Sequence, residues 1–177
     1  MESRIKEMMK IWQADGHRWL SCEQRIKAPL AEVFPFFSTA RNLERLTPPF
    51  LRFRIRRISS EPLGAGALID YSLTLHHLPV RWRTRIEDWD PPHQFVDLQI
   101  RGPFKLWRHT HTFRAAGEDT VITDTVQFNL YCEPLLAMTP LPAWIERDLR
   151  DIFEYRQREI LNVCEVDAVR SHMDDER

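Results

Sequence analysis

Glycine is scarce, with five in 177 residues, and neither G-x-G-x-x-G nor G-x-x-x-x-G-K-[ST] occurs. That argues against a nucleotide site built from a Gly-rich backbone cradle. Cysteine is scarcer still: Cys22, Cys132 and Cys164 are odd in number, far apart and in no C-x-x-C pair. Reduced thiols in a cytoplasmic protein fit this better than a disulfide framework or a Cys-based metal site. No stretch of 18 apolar residues exists, so no transmembrane helix is expected, and the N-terminus lacks an uninterrupted apolar core of a secretory signal. Charge of neither sign prevails: 25 Lys and Arg face 26 Asp and Glu, for a net charge of −1, which gives no global reason to expect nucleic acid.

What is present is an ordinary globular composition, 43% hydrophobic and 29% charged, in a chain long enough for one domain with a sizeable core. Three segments are expected: an amphipathic helical extension over residues 1–17, a main domain over 18–166 and a solvated tail over 167–177. The extension carries Ile5, Met8, Met9 and Trp12 at i, i+3, i+4 and i+7, a helical stripe punctuated by Gly16. It packs on the domain or, less favoured because it is short and barely basic, touches a membrane surface peripherally.

"RWLSCEQRI" reads as the first strand and "APLAEVFPFFSTARNLERL" as two short helices, with Pro29 at the start of one and Thr39 or Asn42 capping the other. "TPPF" ends that pattern. From there to Leu130 the chain alternates with period two between turn signals. Leu51, Phe53 and Ile55 oppose arginines; Ile69, Tyr71, Leu73 and Leu75 oppose Asp70, Ser72 and Thr74; Val80, Trp82, Thr84 and Ile86 oppose Arg81, Arg83 and Arg85. "QFVDLQI" follows, then "LWRHTHTF", in which Trp107, His109, His111 and Phe113 share one face. The last strand sets Ile122, Asp124, Val126 and Phe128 against Thr123, Thr125 and Gln127. Short Gly- or Pro-bearing connections make an antiparallel meander the natural wiring. Between Ala143 and Val166, Ile145, Leu149, Ile152, Phe153, Ile160, Leu161 and Cys164 recur near every 3.6 residues. This long helix has only the inner face of the sheet on which to bury its stripe. The fold class is therefore α+β: a curved antiparallel sheet of six to seven strands wrapped around a long C-terminal helix, with two short helices after the first strand.

The order of elements and the strings "APLAEVFPFFSTARNLERLTPPF", "GALIDYSLTL", "PVRWRTRIEDWDPPHQFVD", "GPFKLWRHTHTF" and "DTVQF" resemble the SRPBCC superfamily, also called START- or birch-pollen-allergen-like, whose fold is the helix-grip. The resemblance runs from about Arg18 to Val166. It is nearest to the bacterial branch labelled polyketide cyclase/dehydrase-like or cell-division-inhibitor-like. It implies a hydrophobic cavity between sheet and helix for a lipid, polyketide, quinone or other apolar molecule. Members include carriers, sensors and some enzymes, so the fold does not decide the chemistry.

The inward faces supply the candidates. Tyr71, Leu73, Trp82 and Thr84 would line the cavity from the middle strands. Trp107, His109, His111 and Phe113 would do so from the next, and Asp124, Val126 and Phe128 from the last. The long helix would add Phe153 and Arg156, with Trp144 near the mouth. His109 and His111 have four readings. They may be read as satisfied core residues with Asp124, Tyr71 or Thr84 as partners; as polar groups orienting a ligand; as acid–base catalysts of a cyclase or dehydratase with Asp124 behind them; or as metal ligands. H-x-H alone lacks a third ligand, with only Asp124 or His76 in evidence, and no metal or cofactor is expected. Arg156 lies within the helix stripe and must snorkel, pair with a helix acid, or meet an anion such as Asp124 or a ligand carboxylate.

Residues 50–114 hold 11 Lys and Arg against 6 Asp and Glu, whereas 144–177 hold 6 against 10. Asp70, Glu87 and Asp97, placed among the outer-face acids, interrupt any basic stripe. The expected partner is a hydrophobic small molecule, bound by a carrier or sensor; the alternatives are a cyclase or dehydratase and an interaction module using the outer basic face. Nucleic acid is not expected, and the protein is expected to be a monomer or homodimer.

Overall fold

The computed structural model describes residues 9–136 and 138–175, with side chains through residue 163 apart from residue 134. Eight strands form a single curved antiparallel sheet. In chain order they are β1 (Met9–Ala14), β2 (His17–Ile26), β3 (Arg54–Ile58), β4 (Leu68–Leu75), β5 (Leu78–Asp90), β6 (Gln94–Arg101), β7 (Leu106–Ala116) and β8 (Asp119–Asn129). Every neighbour in the order β1-β2-β8-β7-β6-β5-β4-β3 is sequential except β2 and β8, which join the two ends of the chain in mid-sheet. Helix α1 (Leu30–Phe37) and two 3-10 turns, Ala40–Glu44 and Pro49–Leu51, fill the long connection from β2 to β3. A four-residue helix α2 (Glu133–Leu136) precedes the long helix α3 (Leu141–Asp175).

The inward faces of β4, β5, β7 and β8 are those the alternation indicates. Ile69, Leu73, Trp82, Thr84, Ile86, Trp107, His109, His111, Phe113, Ile122, Asp124, Val126 and Phe128 are all buried. α3 lays Leu149, Phe153, Gln157, Ile160 and Val163 against this surface, each buried and spaced at three or four residues. The apolar interior has two parts. One gathers Leu20, Trp82, Phe104, Trp107, Val126 and Phe128 beneath Leu149 and Phe153. The other gathers Phe34, Phe37, Phe95, Phe113 and Ile122 beneath Ile160.

Polar anchors hold the rod against the grip. Arg18, only 8% exposed, donates from Nε to Glu133 at 2.7 Å and from Nη1 to Glu146 at 2.6 Å, tying β2 to both helices. One helical stage further along, Gln24 Nε2 donates to the Gln157 carbonyl at 2.8 Å.

Four expectations need correction. Residues 9–14 are not helical: Met9 pairs with Cys22 and Ala14 with His17, which leaves Asp15 and Gly16 as a two-residue turn, both at positive φ. D-G is the pairing such a hairpin demands, and it overrides a helical stripe only a few residues long. Trp12 remains 41% exposed and stacks on Trp19 across the hairpin. Ile5 and Met8 lie outside the described residues. The sheet accordingly has eight strands, and "RWLSCEQRI" is the second. Leu51 belongs to a 3-10 turn, β3 starting only at Arg54. Of the two expected caps Thr39 holds the N-cap position of the first 3-10 turn, but without a side-chain cap bond; the Thr39 and Asn42 side chains donate instead to the carbonyls of Pro35 and Phe36. α3 continues beyond Val166 to Asp175, so the expected tail is helical in backbone through that point. Its side chains, Cys164 among them, lie outside those described.

The hairpin has a direct test. A Cβ at Gly16 meets nothing within 4 Å, yet φ there is +74°. Gly16→Ala should therefore destabilise the protein by about 1–2 kcal/mol in urea unfolding, the strain of a left-handed L-residue. A helical segment would gain from the same change.

Candidate functional site

Between the two apolar halves of the core runs a polar layer. The register of three strands builds it: His109 pairs with Asp97 across β6–β7, and His111 pairs with Asp124 across β7–β8. Strand pleating points all four side chains inward. His109 and His111 are 5% and 2% exposed and Asp124 is 4% exposed. Asp97 keeps 21% of its side-chain surface. The imidazoles lie over one another with centroids 3.8 Å apart, between the Phe95 ring on one side and Phe153 on the other.

His109 Nε2–H donates to Asp124 Oδ1 at 2.9 Å, and His111 Nε2–H donates to Asp97 Oδ2 at 3.0 Å. His109 Nδ1 stands 3.8 Å from the same Asp97 oxygen. His111 Nδ1 comes within 2.7 Å of Asp124 Oδ1 but out of line with it, and so forms no hydrogen bond. Arg156 reaches in from α3, with its guanidinium 5.9 Å from the Phe37 ring and its buried Nε without a hydrogen-bond partner. Of the fates open to Arg156, the structure realises the inward one.

Burial works against charge at every member, and the neighbours decide the outcome. For Asp124, desolvation would raise the carboxyl pKa, but Arg156, His111 and His109 outweigh it and hold the group well below the ordinary carboxylate range. Asp97 is likewise penalised by burial, yet its hydrogen bond from His111 and the nearby charges of His109, His111 and Arg156 lower it. His111 is desolvated too, but Asp124 and Asp97 raise it above its ordinary value. His109 goes the other way: burial, together with the charge of His111, lowers it despite both carboxylates. The two imidazoles are thus pushed apart: His111 holds a proton more readily than a free imidazole and His109 less readily, with His109 Nε2–H toward Asp124 and Nδ1 toward Asp97.

Not every expected lining residue borders a cavity. An inner chamber of about 60 Å³ lies between the polar layer and the segment of α1 and the first 3-10 turn; Tyr71, Thr84, Asp97, His111 and Arg156 are on its wall. Leu73, Trp82, Trp107, Phe113, Val126, Phe128 and Phe153 instead pack into the core, the aromatics in tilted or edge-to-face contacts. Trp144 is 56% exposed and borders neither cavity. Thr84 Oγ1 accepts from Trp82 Nε1 and is 3.1 Å from the Tyr71 hydroxyl, so Tyr71 and Thr84 satisfy each other and leave the histidines to the carboxylates. His76 is remote from the layer, bonded at 2.6 Å to Asp148 on α3.

The larger cavity, about 530 Å³, opens between the Pro49–Leu51 turn, the β4–β5 hairpin and α3. Phe50, Leu51, Leu75, Pro79 and Ile152 give it apolar walls; Arg52, Thr74, His76, His77 and Asp148 make up the rest. Arg52, His76 and His77, three of the five non-glycine residues at positive φ, stand at this site. Sequence reasoning missed it because turns and a helix edge, rather than one strand face, compose it. It also missed Asp97, assigned to the outer face. Phe95 on the same face as Asp97 was a partial signal, offset by Val96 and Leu98 on the other.

The opposed imidazoles set opposite pH slopes. His111, raised, contributes stability below its unfolded value of 6.5 that is lost as pH rises through its folded value. His109, lowered, resists a proton that the unfolded chain accepts, so stability falls as pH drops below 6.5. Unfolding free energy of metal-free protein should therefore peak near that pH. His111→Gln should flatten the alkaline slope and His109→Gln the slope just below the maximum. Further down, the two carboxylates lose their contribution as pH falls through their depressed values.

Residues 20–157 match the family model described as polyketide cyclase / dehydrase and lipid transport. No curated protein matches the chain. Among solved structures, protein Ms6760 from Mycobacterium smegmatis superposes with a TM-score of 0.64 at 14% identity, over 89% of this chain and 97% of that one. TTHA0849 from Thermus thermophilus does so with 0.56 at 19%, over 82% and 98%. A Thalictrum norcoclaurine synthase point mutant, solved with a transition-state analogue, gives 0.60 at 15%, over 89% and 99%. Identities this low establish the shared architecture alone. The matched model spans more than three quarters of the chain, from β2 to the middle of α3, and takes in both cavities and the polar layer. By that span and by its helix-grip fold, the chain belongs to the polyketide cyclase / dehydrase and lipid transport family of the SRPBCC superfamily.

Proposed function

We propose that this protein binds a hydrophobic small molecule in the 530 Å³ cavity beside α3, acting as a carrier or sensor. The observation that carries the reading is the cavity itself: its volume falls within the roughly 300–1,000 Å³ of small-molecule sites, and its wall is divided between five apolar residues and the five polar or charged ones, Arg52, Thr74, His76, His77 and Asp148. The two-residue turn of the β4–β5 hairpin, between the paired Leu75 and Leu78, brings His76 and His77 to the cavity wall, and Arg52 stands there as the left-handed end of the 3-10 turn. Arg52 and the two histidines favour a ligand with an apolar body and a polar or acidic end. Desolvation of the apolar body supplies most of the affinity.

The inner chamber supports a different role. At about 60 Å³ it is roughly a ninth of the outer cavity and lies below the roughly 300–1,000 Å³ of small-molecule sites. A cyclase or dehydratase using His109 or His111 with Asp124 would need α1 or α3 to move before substrate reached the layer. The interaction-module reading loses support on the outer face: Arg83 pairs with Asp70, and Arg108 with Glu87, so these cations are matched by acids of the same surface. Among the described residues no helix is long and apolar enough to cross a membrane.

Native mass spectrometry of freshly purified protein should show a bound apolar compound, identifiable after extraction. In displacement of an environment-sensitive fluorescent dye, Ile152→Trp, which fills the cavity from α3, should weaken binding at least tenfold. His109→Asn should leave it within about twofold. Dye binding insensitive to Ile152→Trp, or abolished by His109→Asn in folded protein, would move the ligand away from the outer cavity.

A further inference from the structure

We infer that Asp97, His109 and His111 form a binding site for one divalent transition-metal ion of the zinc class. Their ligand atoms, the Asp97 carboxylate oxygen and one nitrogen of each imidazole, lie within 4.8 Å of one another. Asp97 Oδ2 is 3.0 Å from His111 Nε2 and 3.8 Å from His109 Nδ1. Ligand atoms sharing one ion at a metal–ligand distance of about 2.1 Å are separated by roughly 3.0–3.4 Å, so the Asp97–His111 distance already fits and His109 must close on the ion by turning its ring.

The second carboxylate distinguishes this arrangement from a chance meeting of polar groups. The far nitrogens, His109 Nε2 and His111 Nδ1, both turn to the same oxygen of Asp124, at 2.9 and 2.7 Å. Metal-bound imidazoles characteristically direct their other N–H to a carboxylate, which fixes the tautomer and leaves the opposite nitrogen as the donor. Asp124 does this for both rings at once and aims their lone pairs toward Asp97. His111 Nδ1, although 2.7 Å from that oxygen, makes no aligned hydrogen bond, and a small rotation of the ring onto an ion would align it. The two tautomers are thus set from behind by one buried group.

Two imidazoles and a carboxylate suit borderline divalent ions such as zinc rather than calcium or magnesium, which prefer all-oxygen sets. Three protein ligands leave at least one position open, and the 60 Å³ chamber, walled by Asp97, His111 and Arg156, lies on that side. Water or a small oxyanion fits there. Such a group would also offer an acceptor to the unpartnered Arg156 Nε.

The test uses chelator-treated full-length protein and zinc chloride. Calorimetry should show one zinc per chain, and cobalt should give the visible bands of a site with fewer than six ligands. Asp97→Asn and His111→Gln should weaken zinc at least a hundredfold. Asp124→Asn should weaken it about 10- to 100-fold with the stoichiometry kept. His76→Gln, at the remote His76–Asp148 pair, should leave zinc uptake as it is. Should the buried variants not fold, nitrogen-15 NMR of the unaltered protein decides: zinc should shift His109 Nδ1 and His111 Nε2 while His109 Nε2 and His111 Nδ1 stay protonated. Absence of stoichiometric uptake, uptake lost in His76→Gln, or zinc-induced shifts at the other two nitrogens would each overturn the proposal.

Discussion

The structure turns on the desolvation of two carboxylates and two imidazoles in the middle of an antiparallel sheet. An isolated charge taken that far from water would be penalised by several kcal/mol, and the folded chain meets the demand with mutual pairing and with Arg156 delivered from the helix. Sheet and helix therefore depend on each other in a way that apolar packing alone would not impose. Leu149, Phe153 and Ile160 would bury well with the helix slid by a turn. Such a shift would carry the Arg156 charge away from Asp124, whose carboxyl it helps to hold ionised. Arg18, held by Glu133 and Glu146, and Gln24, held by the Gln157 backbone, fix the same alignment from the β2 side. Two hydrogen-bonded links from β2 and the charge of Arg156 over the polar layer thus set the register of the rod on the grip, and the hydrophobic stripe supplies bulk stabilisation.

That division of labour explains the two cavities. The polar layer ends one apolar half at Trp107 and Val126 and begins the other at Phe113, Ile122 and Phe95. Side chains on either side close around it, leaving a chamber of water dimensions. Space for a larger guest opens where the sheet edge, the Pro49–Leu51 turn and α3 diverge, and much of the wall there comes from turns. Ile152 on the wall of the outer cavity and Arg156 on the wall of the inner one are a single helical turn apart, about 6 Å along α3. Binding in the one is mechanically adjacent to the electrostatics of the other.

Much of this was legible in the chain. Period-two alternation assigned the inward faces of β4, β5, β7 and β8, including the two histidines and Asp124, because polar and apolar residues there segregate. β6 resisted the same reading. "QFVDLQI" has Phe95 on one face and Val96 and Leu98 on the other, so hydrophobicity does not say which face Asp97 shares; the strand pairing does, and that is a long-range fact. The N-terminal strand was obscured by a helical spacing in a segment too short for periodicity to decide, although the Asp15–Gly16 turn carried the decisive local signal. Trp144 was placed at a cavity mouth because large aromatics usually find cover, whereas it stands in solvent at the start of α3. The outer cavity had no period to reveal it. Loop geometry is set by where the elements already sit.

A buried polar layer also bears on why such residues occupy this place. Replacing a complete ionic set by well-packed hydrophobic residues is often neutral or favourable to stability, whereas deleting one member strands the others and is strongly destabilising. His109, His111, Asp97 and Asp124 are thus costly to alter singly without being the stablest way to fill the volume. Phe95 and Phe153 already enclose the imidazole pair from either side, and apolar neighbours on both flanks could have met directly. Fold stability is therefore an insufficient account of the layer. Its chemical content, two ring nitrogens and a carboxylate converging with a second carboxylate behind them, is more specific than a registry device requires, since Arg156 with a single acid would align the helix equally well.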